Sequence, residues 1–223
     1  MKRIHVITAD GSSTIRWINT GECYHSTFGA LTESKYIFID QGFSVISNKS
    51  PLRILEVGMG TGLNVLLTCC QAVREMKTVY YHALEPFPLE SDTWKQLNYA
   101  EQISVCEADH YLEKIHTGKP GKVFLLAPDF RFLKDTSGIH EAVLSPDNYD
   151  LVYYDAFSPD TQPEMWNLPV LQKVYRALTT NGLFLTYTVK GEVKRNLKSI
   201  GFAVEILPGP PGKRHILRAK KTD

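Results

Sequence analysis

Ile54-Leu55-Glu56-Val57-Gly58-Met59-Gly60-Thr61-Gly62-Leu63-Asn64 is the stretch that decides the fold. An apolar run from Leu52 to Val57 ends in three glycines at alternate positions, and a helical pattern then begins. This is how a parallel strand turns into a helix beneath a nucleotide-like ligand. Glycine lets the backbone take positive φ and lets a ligand approach without meeting a Cβ, and the helix that follows aims its first N–H groups at that ligand. The spacing separates cofactors. A dinucleotide fingerprint needs G-x-G-x-x-G, its third glycine packing helix on strand. Here the pattern is G-x-G-x-G with Leu63 next, which argues against a nicotinamide dehydrogenase.

This loop resembles the S-adenosylmethionine loop of the Rossmann-like methyltransferases, although a glycine loop by itself is also a tight turn in many α/β proteins. Length and composition agree with an α/β enzyme. The 223 residues suffice for one large core. No apolar run reaches the length of a bilayer span, and Met1-Lys2-Arg3-Ile4-His5-Val6 lacks the apolar stretch of a signal peptide. Cys23, Cys69, Cys70 and Cys106 have no C-x-x-C spacing, so free thiols in a reducing cytoplasm are expected, with no metal. Net charge is +1, but Lys190–Asp223 carries nine Lys or Arg against three Asp or Glu, leaving residues 1–189 acidic. A basic C-terminal end on an acidic body suits a phosphate-bearing partner.

Strand and helix patterns then alternate. Residues 1–50 read as a β-rich extension packed on the core, with strands at Ile15–Ile18 and Lys35–Ile39, and residues 51–223 as the main domain. Strands are expected at 52–57, 79–84, 122–126, 130–133, 149–154, 183–188, 202–206 and 215–219. Helices are expected at 62–77, 88–99, 100–116, 139–144, 165–178 (ended by Asn181-Gly182) and 192–200. The pattern describes a mostly parallel sheet with an antiparallel C-terminal edge.

Ligands of such sheets sit at the carboxyl ends of the strands, where four acids fall. Glu56 precedes the glycine loop. Glu85 ends the second core strand, where a carboxylate can accept from both hydroxyls of a ribose. Asp135, favoured over Asp109 because a short connection to Asp155 then suffices, is placed near an adenine. Asp155 faces the reacting group.

Asp155-Ala156-Phe157-Ser158-Pro159-Asp160-Thr161-Gln162-Pro163-Glu164-Met165-Trp166 makes the resemblance specific. It looks like the D-[AG]-F-[AS]-P-x-x-x-P-[ED]-M-W motif of the MnmD family, which is also the N-terminal half of the bifunctional MnmC proteins. Tyr24–Phe38, Glu56–Asn64, Glu85–Leu89 and Gly209–His215 resemble further blocks of that family, although Lys134-Asp135 stands where a Gly-Asp pair is usual. The resemblance implies a Rossmann-like methyltransferase fold and methylation of the aminomethyl nitrogen of a wobble uridine in the tRNA anticodon arm. It implies S-adenosylmethionine held by Glu56, Gly58, Gly60, Gly62, Asn64, Glu85, Pro86, Asp135 and Asp155. It also implies a stand-alone enzyme without a flavin domain.

A primary alkylamine, with a pKa of about 10 by analogy with lysine, must lose its proton before it can attack a sulfonium methyl group. Asp155 is the expected acceptor of an amine hydrogen, with Phe157 and Pro159 in the turn beside it. Tyr36, Phe157 and Trp166 are candidates to stack on an extruded base, and Lys213 and Arg214 to hold phosphates. The rivals are an aminopropyltransferase or small-amine methyltransferase of the same fold, and a catalytically dead RNA-binding relative.

Overall fold

The computed structural model describes residues 3–46, 48–103 and 107–222. The chain opens with a hairpin, β1 (Arg3–Ile7) and β2 (Ser13–Trp17), then forms helix α1 (Ala30–Ser34), which widens into π-type turns over Lys35–Phe43. The main sheet follows: β3 (Leu52–Val57), α2 (Leu63–Arg74), β4 (Val79–Leu84), the short helices α3 (Ser91–Trp94) and α4 (Tyr99–Gln102), α5 (Ala108–Thr117), β5 (Val123–Ala127) and β6 (Phe130–Asp135). It continues with β7 (Tyr149–Tyr154), a 3-10 turn at Pro163–Trp166, α6 (Leu168–Ala177), β8 (Leu178–Thr186), α7 (Gly191–Ser199), β9 (Phe202–Pro208) and β10 (His215–Lys221).

The eight strands lie in the order β5-β6-β4-β3-β7-β8-β10-β9. β6, β4, β3, β7 and β8 are parallel. β5 runs antiparallel to β6, and β10 antiparallel to both β8 and β9. This is the Rossmann-like methyltransferase architecture with its antiparallel edge. The central strands are buried on both faces and read as continuous apolar runs. One core lies under α2, α5 and the π-type segment, around Ile54, Leu66, Tyr81, Phe130 and Tyr153. The other lies under α6 and α7, around Val152, Tyr154, Leu171 and Phe184. From β3 the chain moves outward to β4 on one side and returns at β7 on the other. The two loops leaving β3 and β7 therefore open side by side, and this is where parallel sheets bind ligands.

Several local expectations fail for physical reasons. Lys35–Ile39 is helical, not a strand. Ile37, Phe38, Ile39, Gly42 and Phe43 are all buried, and an apolar run without a solvent face fits a buried helix as well as a strand. Gly42 lets that helix press on the sheet, since a Cβ there would lie 3.1 Å from Leu185 Cδ1. The first 50 residues therefore carry a continuous helical segment, Ala30–Phe43, beside the β1–β2 hairpin. Residues 139–144 are not helical: 139–141 form a turn and 142–144 are irregular. Helix in 88–99 is confined to Ser91–Trp94 and the start of α4. Within 100–116, residues 104–106, including Cys106, lie outside the described residues, and α5 begins at Ala108. The helix expected at 165–178 is divided at Asn167, whose side chain caps α6 by accepting from Val170 N–H. Asn181-Gly182 sits within β8, not at a helix end.

The N-terminal segment is tied down by polar contacts. Asp10 in the β1–β2 turn accepts from Ser12 N–H at 3.0 Å and, at long range, from Thr32 N–H at 3.0 Å in α1. Phe38 then packs on Tyr153 of β7, with ring centroids 4.9 Å apart. Phe38→Ala should therefore cost about 3–5 kcal/mol in urea unfolding. A loss within the ordinary surface range of about 0.5 kcal/mol would contradict this placement.

Candidate active site

The loops after β3, β4 and β7 surround a cavity of about 870 Å³, within the range of small-molecule sites. Its floor is Gly58–Thr61. Glu85–Phe87, Thr136–Glu141 and Asp155–Phe157 form the sides, and Trp17, Glu22–Phe28 and Glu33 of the N-terminal segment close it with Lys213.

Gly58 is indispensable to this arrangement. Its φ is +89°, and a Cβ would stand 2.7 Å from the Asp155 carbonyl oxygen, so only glycine lets the β3 and β7 loops meet. At Gly60, with φ +53°, a Cβ would fall 2.7 Å from Tyr24 Cδ1. Gly62 supplies the left-handed residue that starts α2 and lies beneath the wall.

The strand-end acids divide into two groups. Glu85 faces the cavity. It accepts from Gly60 N–H at 2.7 Å and Phe87 N–H at 2.9 Å, while burial raises its pKa. Asp155 also faces the cavity and accepts from Asn64 Nδ2 at 2.9 Å. Glu56 does not reach the wall. It is fully buried and accepts from the same Asn64 Nδ2 at 2.9 Å and from Tyr81 OH at 3.0 Å. Its carboxylate therefore positions Asn64 behind the site, where a ligand or loop contact was expected. Asp135 is likewise turned away from the wall. It accepts from Ser137 N–H at 2.8 Å and lies 3.3 Å from His82 Nε2, leaving Thr136–Glu141 to form that side. Asp109, the alternative, is exposed on α5.

The aromatic and basic candidates are redistributed in the same way. Phe157 lines the cavity, with Trp17 and Tyr24 at centroid distances of 5.5 and 4.9 Å. Trp166 is buried, and its Nε1–H donates to the Phe157 carbonyl at 2.8 Å, so it braces the turn from behind and cannot stack on a base. Tyr36 OH donates to the Pro208 carbonyl, away from the cavity. Pro86 is in the wall and Pro159 beyond it. Lys213 points inward and pairs with Glu33 at 3.2 Å, while Arg214 is exposed outside the wall.

Sequence reasoning assigned no role to Glu22, Tyr24, Glu33 or Tyr187. Glu22 accepts from Ser158 N–H at 2.9 Å, and Tyr187 OH donates to the Ala156 carbonyl at 2.9 Å. Their only sequence signal was membership of the N-terminal block for Tyr24 and Glu33, since each acts across a long separation in the chain. The wall as a whole carries Glu22, Glu33, Glu85, Glu141, Asp155 and Glu164 against Arg3 and Lys213, a field that favours cationic ligands. S-adenosylmethionine fits these residues. The floor offers backbone without side chains at Gly58 and Gly60, Glu85 offers a buried acceptor for a diol, and the acidic wall suits a sulfonium.

Burial pushes Glu56 up to about 8 and Asp155 up to about 7; the neighbouring carboxylate of Glu33 adds to the latter, and the Asn64 hydrogen bonds oppose both. Ordinary carboxyls titrate near 4 and imidazoles near 6.5, so between about 4 and 8 these two acids hold more protons in the folded protein than in the unfolded chain, while buried His25 and His116, lowered to about 4, act in the opposite sense below about 6.5. The stability contributed by each acid should therefore fall as pH rises, by up to about 1.4 kcal/mol per pH unit, and above about 6.5 the imidazoles no longer oppose it. Urea midpoints measured from pH 6.5 to 8 should decline in the wild type and decline less in Glu56→Gln and Asp155→Asn. A midpoint that rises with pH and is unaltered by either variant would contradict these environments.

Comparison with known proteins agrees with this geometry. Residues 133–222 match a family model described as S-adenosyl-L-methionine-dependent methyltransferase. The "tRNA 5-methylaminomethyl-2-thiouridine biosynthesis bifunctional protein MnmC" of Acinetobacter baylyi is 27% identical over 214 residues, covering 89% of this chain and 34% of the relative. The protein of the same name from Hydrogenovibrio crunogenus is 28% identical over 207 residues, covering 87% and 31%. The chain thus spans about a third of the length of these relatives. Among solved structures, MnmC2 from Aquifex aeolicus superposes with a TM-score of 0.79 at 23% identity, over 100% of this chain and 71% of that one. Spermidine synthase from Thermotoga maritima superposes at 0.58 and 14% identity, over 94% and 65%. No helix among the described residues is long and apolar enough to cross a membrane. Residues 133–222 thus resemble S-adenosylmethionine-dependent methyltransferases, and the chain over most of its length is similar to part of the MnmC proteins.

Proposed function

We propose that this chain methylates the aminomethyl nitrogen of a modified wobble uridine in the anticodon arm of tRNA. The observation that carries the reading is the Asp155 carboxylate. It is half-buried at the switch between the β3 and β7 loops, held by Asn64, and shares an acidic cavity wall with Phe157. Relatives named for tRNA 5-methylaminomethyl-2-thiouridine biosynthesis support the choice of acceptor.

S-adenosylmethionine supplies the electrophilic methyl group. The chain supplies orientation and a destination for the proton. An alkylammonium of pKa about 10 transfers a proton poorly to an ordinary carboxyl near 4. Asp155, raised to about 7 by burial, is a better acceptor. It takes a proton from the ammonium and directs the freed nitrogen lone pair. The fixed Asn64 and Glu56 contacts hold the carboxylate in place, so most of the acceleration comes from positioning. Phe157 and Tyr24 exclude water from the acceptor side.

Incubation with methyl-labelled S-adenosylmethionine and tRNA bearing 5-aminomethyluridine should place one methyl group on that nucleoside, read by mass spectrometry. Asp155→Ala should lower turnover by about 10²-fold or more and weaken cofactor binding much less. No transfer to such tRNA by the wild type at low salt would refute the reading. The acidic wall also suits a free polyamine, and transfer to putrescine in its place would favour that acceptor class.

Because Lys213 is turned inward, Arg214 is the residue of this loop available to a phosphate. Arg214→Ala should reduce the log–log salt slope of tRNA binding by roughly 1 with S-adenosylmethionine affinity unchanged. An unchanged slope would place the RNA elsewhere on the surface.

A further inference from the structure

We infer that Glu33 and Lys213 are a pair of positioning residues that set, with opposite sign, the pH at which Asp155 gives up its proton. The inference rests on the reading above that Asp155 takes the proton of the amine.

The geometry comes from the two ends of the chain. Glu33 lies in α1, where its Oε2 accepts from Ser26 N–H at 2.7 Å. Its Oε1 is 3.2 Å from Lys213 Nζ, in the loop between β9 and β10. The two side chains are only 9% and 27% exposed. Lys213 Nζ also lies 4.7 Å from the centre of the Tyr187 ring, whose hydroxyl holds the carbonyl of Ala156, the residue after Asp155. Glu33, Lys213, Tyr187 and Asp155 share one cavity wall. A partly buried ion pair loses some of its attraction to desolvation and is weak evidence for stability. Its position against a third ionisable group calls for another role.

Asp155 is faced from each packed element by a charged or titratable group. Asn64 of α2 presents Glu56 of β3 on its other hydrogen, Tyr187 approaches after β8, and Glu33 and Lys213 complete the shell. Of these, Glu33 favours the protonated form of Asp155 and Lys213 the ionised form. While the pair is intact the two fields oppose each other, and Asp155 is set chiefly by its burial.

The test follows Asp155 directly. Full-length protein labelled with ¹³C at the aspartate carboxyl is titrated by NMR without substrate, and Asp155→Asn identifies the resonance. Glu33→Gln should lower the Asp155 midpoint by about one pH unit and Lys213→Met should raise it by a similar amount, while Lys213→Arg should restore it. The acid limb of the methyl-transfer pH profile should move in the same directions. A loosened site would shift both variants the same way, through added solvent. Midpoints that coincide, or that move together in Glu33→Gln and Lys213→Met, would overturn the inference. Opposite shifts support it, and they are read whether or not tRNA proves to be the acceptor; failure of the wild type on tRNA would count against the proposed function alone.

Discussion

One side-chain amide holds the site together. Asn64 donates one hydrogen to Glu56 and the other to Asp155, so that β3, the first turn of α2 and the loop after β7 share a single buried contact. Burying carboxylates costs free energy unless they are hydrogen-bonded. Here each accepts from the same group, and Glu56 from Tyr81 as well. The arrangement requires the two loops to be in contact, which the absence of a Cβ at Gly58 allows. The raised proton affinity of both acids follows from this enclosure.

Around that centre, the N-terminal segment does more than cover the sheet. Through Glu22 it holds the Ser158 turn, through Tyr24 it packs against Gly60 and Phe157, and through Glu33 it meets Lys213. His25 links the same segment inward, with Nδ1 3.2 Å from Thr14 Oγ1, and burial lowers its pKa to about 4, so it remains neutral. The acceptor side of the cavity is therefore built largely from residues that precede the glycine loop in sequence. Trp166 does comparable work from the opposite face, its indole fixing the Phe157 carbonyl while its ring packs edge-on against Tyr154.

The comparison of expected and observed site residues separates two kinds of acid. Glu85 and Asp155 follow β4 and β7 and point into the space above the sheet. Glu56 lies within β3, where the pleat turns its side chain to the buried face, and Asp135 is drawn to His82 and the Ser137 N–H. Position at a strand end therefore did not suffice for a place in the wall, because alternation of side chains and local hydrogen bonds decide the direction.

By itself the sequence determined the order of the core strands along the chain, the glycine loop, the turn at Asp155–Trp166 and the class of cofactor. Each of these depends on residues close together in the chain: apolar runs bounded by turn residues, and glycines at a fixed spacing. The tertiary structure decided the rest. It made Lys35–Phe43 helical, because a short buried apolar run such as Ile37–Ile39 reads equally as strand or helix. It moved Trp166 and Glu56 behind the wall, turned Lys213 inward, and brought Glu22, Glu33 and Tyr187 to the site. Glu22, Glu33 and Lys213 owe their roles to partners more than a hundred positions away, and Trp166, Glu56 and Tyr187 to contacts between separate elements; such pairings leave no local pattern in a single chain.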